Sequence, residues 1–174
     1  MPAVKGKFHV GDKIVHPAHG AGVIAAVESN DVLDEFTRYY VIDLAAQDMK
    51  LKVPVRMAEE IGLRAVAGAK RSKKILKLLG VRAEDLPDDF KKRQAHLTAR
   101  LREGDAENLA AVVRDMAHRS LTKTYSPTEA RLYEQARSML AGELALAQGL
   151  EVEAAVIQID ELTRPEAQAP AEGG

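Results

Sequence analysis

The chain contains no cysteine. That excludes disulfide bonds, Cys-ligated zinc and thiol catalysis. Aromatic residues are scarce, at 4% of 174 residues, whereas hydrophobic residues make up 46%. The core must therefore be built mostly from Ala, Leu, Val and Ile, which favours helices. No apolar run approaches the ~20 residues that a membrane span needs. The opening MPAVKGKFHV lacks the apolar segment of a signal peptide. The expectation is a soluble, cytoplasmic protein of one compact domain or two small ones.

Net charge is also nearly absent, at −1, but its distribution is uneven. Residues 1–60 carry 7 basic and 9 acidic side chains, residues 61–102 carry 12 and 4, and residues 103–174 carry 6 and 13. Nearly half the positive charge thus sits in under a quarter of the chain. Such a cluster points to a polyanionic partner or to a solvated helical face balanced by acidic residues elsewhere.

The first sixty residues carry strand signals. KIVH, GVIAAVE, RYYVIDL and MKLKVPV are short and rich in β-branched or aromatic residues. Lys50-Leu51-Lys52-Val53 alternates polar and apolar, as a half-exposed strand does. Turn residues separate the segments at Val10-Gly11-Asp12, Pro17 to Gly22 and Ser29-Asn30-Asp31. Four or five such strands with no helix between them predict a small antiparallel β-barrel.

Near Met57 the period becomes helical. KRSKKILKLLG sets Ile75, Leu76, Leu78 and Leu79 against lysines, with Gly80 as the stop. A second helix is expected from Pro87 and Asp88 to Gly104, with Leu97 and Leu101 on one face. Asp105 is a good N-cap for AENLAAVVRDMAHRSL. Ser126-Pro127-Thr128-Glu129 is a capping box with proline at the first helical position, opening a long helix that ends at Gly149. VEAAVIQIDEL reads as a last amphipathic helix, and RPEAQAPAEGG as a disordered tail. The predicted architecture is α+β: a β domain over 1–60, an all-α helical domain over 61–163 and a tail over 164–174.

HPAHGAG, residues 16–22, is the first place to look for chemistry. His16 and His19 could form a metal half-site, but no spacing links His9, His96 or His118 as further ligands. A phosphate loop needs a strand, a glycine-rich turn and then a helix, and no Gly-Lys-Ser/Thr is present. Here the glycines lead into a strand, so a tight turn fits, with Pro17 fixing φ and Gly20 and Gly22 supplying backbone freedom. No Gly-x-Ser-x-Gly occurs, and the pairs Glu59-Glu60 and Asp88-Asp89 are adjacent, so their side chains diverge. The expectation is a protein that is not an enzyme and holds no metal or other cofactor.

DDFKKRQ is more informative. Phe90 is followed by Lys91, Lys92 and Arg93. It is either a core Phe with solvated neighbours or an apolar wedge for DNA. Minor-groove architectural proteins insert such a side chain at a base step while nearby cations hold phosphates.

FHVGDKIVHPAHGAGVIAAVE and the strand pair YYVIDL…LKVPV resemble the opening of the CarD/CdnL bacterial transcription regulators. PDDFKKR, REGD, AAVVRDM and SPTEARLYEQARSMLAGELALA resemble their helical part. The similarity runs over roughly residues 8 to 148. It implies an N-terminal Tudor-like barrel, an RNA-polymerase-interaction domain that binds the β subunit. It implies a helical domain that meets promoter DNA at the upstream edge of the transcription bubble and stabilises the open complex. By that resemblance the wedge falls on Phe90, where the family commonly has tryptophan. DNA-contacting cations fall on Lys92, Arg93 and Arg119, with Lys91 added from the local run, and polymerase contacts on Asn30 and Lys52. Asn30 stands where well-known relatives carry arginine, and Ala130 where some carry a lysine facing DNA. The implied partners are RNA polymerase and promoter DNA, with no membrane, for a monomer associated with the nucleoid. A stand-alone DNA-packaging protein is the alternative that needs no polymerase. An enzyme using His16 and His19 at a metal is a third.

Overall fold

The computed structural model describes residues 6–30, 37–44 and 47–165. The chain divides into two units, Met1–Val66 and Ala67–Gly174.

The first unit is one antiparallel sheet. Its strands are β1 (Lys13–His16), β2 (Gly20–Asn30), β3 (Thr37–Leu44), β4 (Met49–Pro54) and β5 (Arg64–Ala65), in the order β4-β3-β2-β1-β5. This is the Tudor-like module of an α+β fold. Four strands follow one another as neighbours. The chain then passes through a 3-10 turn, Val55–Met57, and a short helix α1 (Ala58–Ile61), and returns to lay β5 on β1. The first unit thus includes β5 and runs to Val66. β5 is too short to show any alternation and exists because the edge of β1 is available to pair.

Alternation sets the core. Tyr40, Ile42 and Leu44 of β3 face inward with Ile14 of β1 and Ile24 of β2. The β2–β3 register shifts between Ile24 and Ala26. The extra residue changes the parity of β2, so Ile24 and Val27, three apart, both reach the core. The Tyr40 hydroxyl accepts the Phe8 N–H at 3.1 Å, and the two rings meet edge to face.

HPAHGAG is the β1–β2 turn. His16 pairs with Gly20, and the His19 N–H donates to the His16 carbonyl at 3.2 Å. Gly20 has φ +89. Gly22 is needed for a different reason than the turn. A Cβ there would stand 2.7 Å from the Asp43 carbonyl oxygen and 2.8 Å from Ile42.

The second unit is helical: α2 (Ala69–Gly80), α3 (Phe90–Glu103), α4 (Ala106–Arg119), α5 (Pro127–Gln148) and α6 (Val152–Leu162). α4 is its centre. It packs on α2, α3 and α5, and buries Leu109, Ala110, Val112, Val113 and Met116. Ala136, Ala141 and Ala145 of α5 and Ala155 of α6 join the same core, where small side chains let helices approach closely. Asp89 caps α3 by accepting the Lys92 N–H at 2.9 Å, so the helix starts at Phe90 rather than at Pro87. Asp105 caps α4, and Ser126 with Glu129 forms the capping box of α5. Gly104 and Gly149 end α3 and α5 in the left-handed conformation. The tail expected over 164–174 lies outside the described residues from position 166 on. No described helix is long and apolar enough to cross a membrane.

Candidate nucleic-acid interface

Phe90 is the first residue of α3 and is 47% exposed. It is therefore not a core aromatic. Among the described phenylalanine and tyrosine side chains it is the exposed one. Lys91 and Lys92 follow it, both exposed. The first turn of α3 thus presents one apolar ring and two ammonium groups to solvent.

Arg93, expected with them as a DNA contact, is not exposed beside them. It is only 5% exposed. Its Nε donates to the Glu129 carboxylate, and its Nη1 donates to the Pro87 carbonyl at 2.9 Å and the Asp88 carbonyl at 2.8 Å. The guanidinium carbon lies 5.8 Å from the centre of the Phe90 ring, within reach of a cation–π attraction. Arg93 clamps the segment leading into Phe90 and supports the ring from inside.

Glu129 is the hub. Its carboxylate receives Arg93 and the Ser126 N–H, the latter at 2.8 Å. Burial works to raise its pKa. The Ser126 backbone hydrogen bond and Arg93 outweigh burial and hold the carboxyl below the usual range. Arg119, expected as a surface contact, has a side chain only 16% exposed with its Nε 4.0 Å from Glu129. That Nε has no hydrogen-bond acceptor among the described residues. Arg119 therefore faces the inside of the cluster. Nearby, the Tyr125 hydroxyl donates to the Met116 carbonyl, and burial pushes its pKa up to about 12. The start of α3, the end of α4 and the start of α5 converge on this cluster. A polar recess of about 300 Å³ opens beside it, bordered by Asp88, His118, Arg119 and Lys123.

In the sheet unit, Lys52 lies exposed on the edge strand β4, its Nζ 2.8 Å from Glu28 Oε2 on β2. Asn30 closes β2 opposite Thr37. Lys52 and Glu28 are thus brought together on a surface that also carries Lys50. His16 and His19 have ring centres 4.8 Å apart, and His16 Nδ1 accepts the Ala18 N–H at 3.0 Å. Burial, and then His19, lower the His16 pKa. Among the described residues no group of three or more His, Cys, Asp or Glu could hold a metal ion.

A small antiparallel sheet module, followed by a helical module with an aromatic ring and lysines at a helix start, is a two-domain layout. Family models match both parts. Residues 8–67 match the CarD-like/TRCF RID domain, and residues 74–160 match CarD, C-terminal domain. The chain belongs to the CarD family. It is 29% identical over 143 residues to the Putative transcription factor YdeB of Bacillus subtilis (strain 168), covering 82% of this chain and 94% of that protein.

Proposed function

We propose that this chain is a transcription regulator that acts as a monomeric adaptor in the cytoplasm and catalyses no reaction. Its sheet unit docks on the β subunit of RNA polymerase through the surface that carries Lys52 and ends at Asn30. Its helical unit meets promoter DNA at the upstream edge of the bubble. Phe90 wedges against the opened base step, while Lys91 and Lys92 meet phosphates. The observation that carries this reading is the exposure of Phe90 beside two free ammonium groups, on a segment that buried Arg93 holds in place.

The physics suits an adaptor. Unstacking a base step costs a few kcal/mol, and a few phosphate contacts offset only part of it. Tethering through the sheet unit raises the effective concentration of the helical unit at the fork. Binding to free DNA is then weak and salt-sensitive. Phenylalanine supplies a ring without the indole N–H, so the wedge works by stacking and exclusion rather than by donating to a base edge.

The deciding experiment is the lifetime of the open promoter complex with polymerase holoenzyme. Phe90→Ala shortens that lifetime and leaves binding to the β subunit unchanged; an unchanged lifetime removes the wedge. Phe90→Trp equals or lengthens it. Lys52→Glu weakens capture by the β subunit without altering the fold, and intact capture removes Lys52 from the docking surface.

A further inference from the structure

The outer face of α2 is a second cationic surface. Lys70, Lys73, Lys74 and Lys77 are all exposed, and the helix contains no acidic residue. At 3.6 residues per turn the four fall within an arc of about 100°. That arc lies opposite Ser72, Ile75 and Leu79, which face the core.

This stripe is unfavourable by itself. Lys70 stands three and four positions from Lys73 and Lys74, and Lys77 stands likewise, so like charges meet along the whole face. Lys70 also sits in the first turn, where the free N–H groups already carry partial positive charge. Among the described residues, none of the four lysines makes an ion pair. Four arginines of the same unit are handled differently. Arg71, on the same helix, holds both oxygens of Glu107, at 2.9 and 2.6 Å. Arg93, Arg114 and Arg137 also pair with carboxylates. These four arginines are matched within the unit, whereas the lysine stripe of one sign faces solvent.

We propose that the α2 stripe docks the phosphate backbone of duplex DNA, as a sequence-independent contact separate from the first turn of α3. The proposal rests on the reading of the helical unit as DNA-binding. From Lys70 to Lys77 the helix rises ~10 Å, the axial length of about three phosphates on one strand. The arc holds no aromatic ring on which an unpaired base could stack. It also holds no Arg, Tyr or Trp of the kind that anchors a protein interface. Lysine meets phosphate as a point charge and reads no sequence. α2 and α3 both pack on α4 and α5, so one helical core carries both surfaces.

The test uses the full chain, a labelled duplex of arbitrary sequence and no polymerase, across a salt series. One variant carries Lys→Gln at positions 70, 73, 74 and 77. A second carries Phe90→Ala with Lys91→Gln and Lys92→Gln. The α2 variant is expected to bind at least tenfold more weakly at low salt. The slope of log affinity against log salt flattens by about 2–4, since each lost phosphate contact removes ~0.9. Its thermal stability stays equal or rises as the repulsion is relieved, which separates lost contacts from lost folding. Unchanged affinity and slope in the α2 variant, with loss in the α3 variant, overturn the stripe and leave the α3 reading standing. Loss in the α2 variant alone supports the stripe, and the α3 contact at the opened step is then judged by the open-complex lifetime. No duplex binding by the unaltered chain at low salt overturns the stripe. Binding to poly-glutamate as tight as to the duplex overturns DNA as the occupant in favour of an acidic protein.

Discussion

Buried charge separates the two units. In the sheet unit the described interior is apolar apart from a neutral hydroxyl, that of Tyr40, which holds the Phe8 N–H. In the helical unit Arg93, Arg114, Asp115, Glu129 and Glu143 are all buried. Four of them tie backbone outside the helices, Glu129 among them through the Ser126 N–H at 2.8 Å. Arg93 takes the carbonyls of Pro87 and Asp88, Asp115 accepts the Glu84 N–H at 2.9 Å, and Glu143 accepts the Ala67 N–H at 3.0 Å. A sheet specifies its own neighbours through the hydrogen-bond ladder, and its register follows from alternation. A helix satisfies its backbone within itself, so the segments between helices must be placed by side chains. Burying a charge carries a desolvation cost, and the pairing partners offset it. What that cost obtains here is a fixed approach to Phe90.

The sharpest way to break this contrast is Glu129→Gln. It keeps the size of the side chain but leaves Arg93 without its counter-charge, at an expected cost of roughly 3–5 kcal/mol in urea unfolding. A loss below about 1 kcal/mol would show that the cluster does not hold the unit together. The corresponding test of the sheet unit is steric, not electrostatic. Gly22→Ala drives a methyl group into the Asp43 carbonyl and should cost about 1–3 kcal/mol, read by the same method. Tolerance there would mean that β2 and β3 can separate without penalty.

Acid is a gentler probe. The Arg71 hydrogen bond holds Glu107 down to about 2 against an ordinary 4.5. Glu129 is lowered as well, Ser126 and Arg93 overcoming its burial. A carboxyl depressed in the folded state contributes stability above its unfolded pKa and loses it as pH falls through the folded one. The helical unit should therefore lose stability progressively from about pH 4.5 toward pH 2, followed by circular dichroism of the helices. Helix stability independent of pH over that window would remove both carboxylates from the account. The smallest effect belongs to the exposed pair of Lys52 and Glu28, where Lys52→Gln should change stability by less than about 1 kcal/mol. A larger loss would give the sheet unit an electrostatic component that this comparison denies it.

Much of this was legible in the residues. Asp105, the Ser126–Glu129 box, Gly104 and Gly149 mark helix ends because capping is local chemistry. KIVH and RYYVIDL show their strands by composition. Arg93 was misplaced because Lys91-Lys92-Arg93 reads as one basic run. The correcting signal was in the spacing: Arg93, Leu97 and Leu101 are four apart and share the buried face of α3. Its partner Glu129, 36 positions away, could not be read from spacing. Nor could the second duty of Glu129, since a capping box accounts for the residue completely on local grounds. Gly22 looked like a turn glycine, whereas its need comes from the neighbouring strand, which is not adjacent in sequence.

The return of β5 to β1 bears on the order in which the first unit can be completed. Ile14 meets Ala65, so the sheet's last pairing joins residues about fifty positions apart. During synthesis from the N-terminus, β1 through β4 can zip as successive neighbours while the outer side of β1 stays bare. An unpaired strand edge is a template for the wrong partner. The nascent chain is exposed to that hazard until Arg64 and Ala65 emerge from the ribosome.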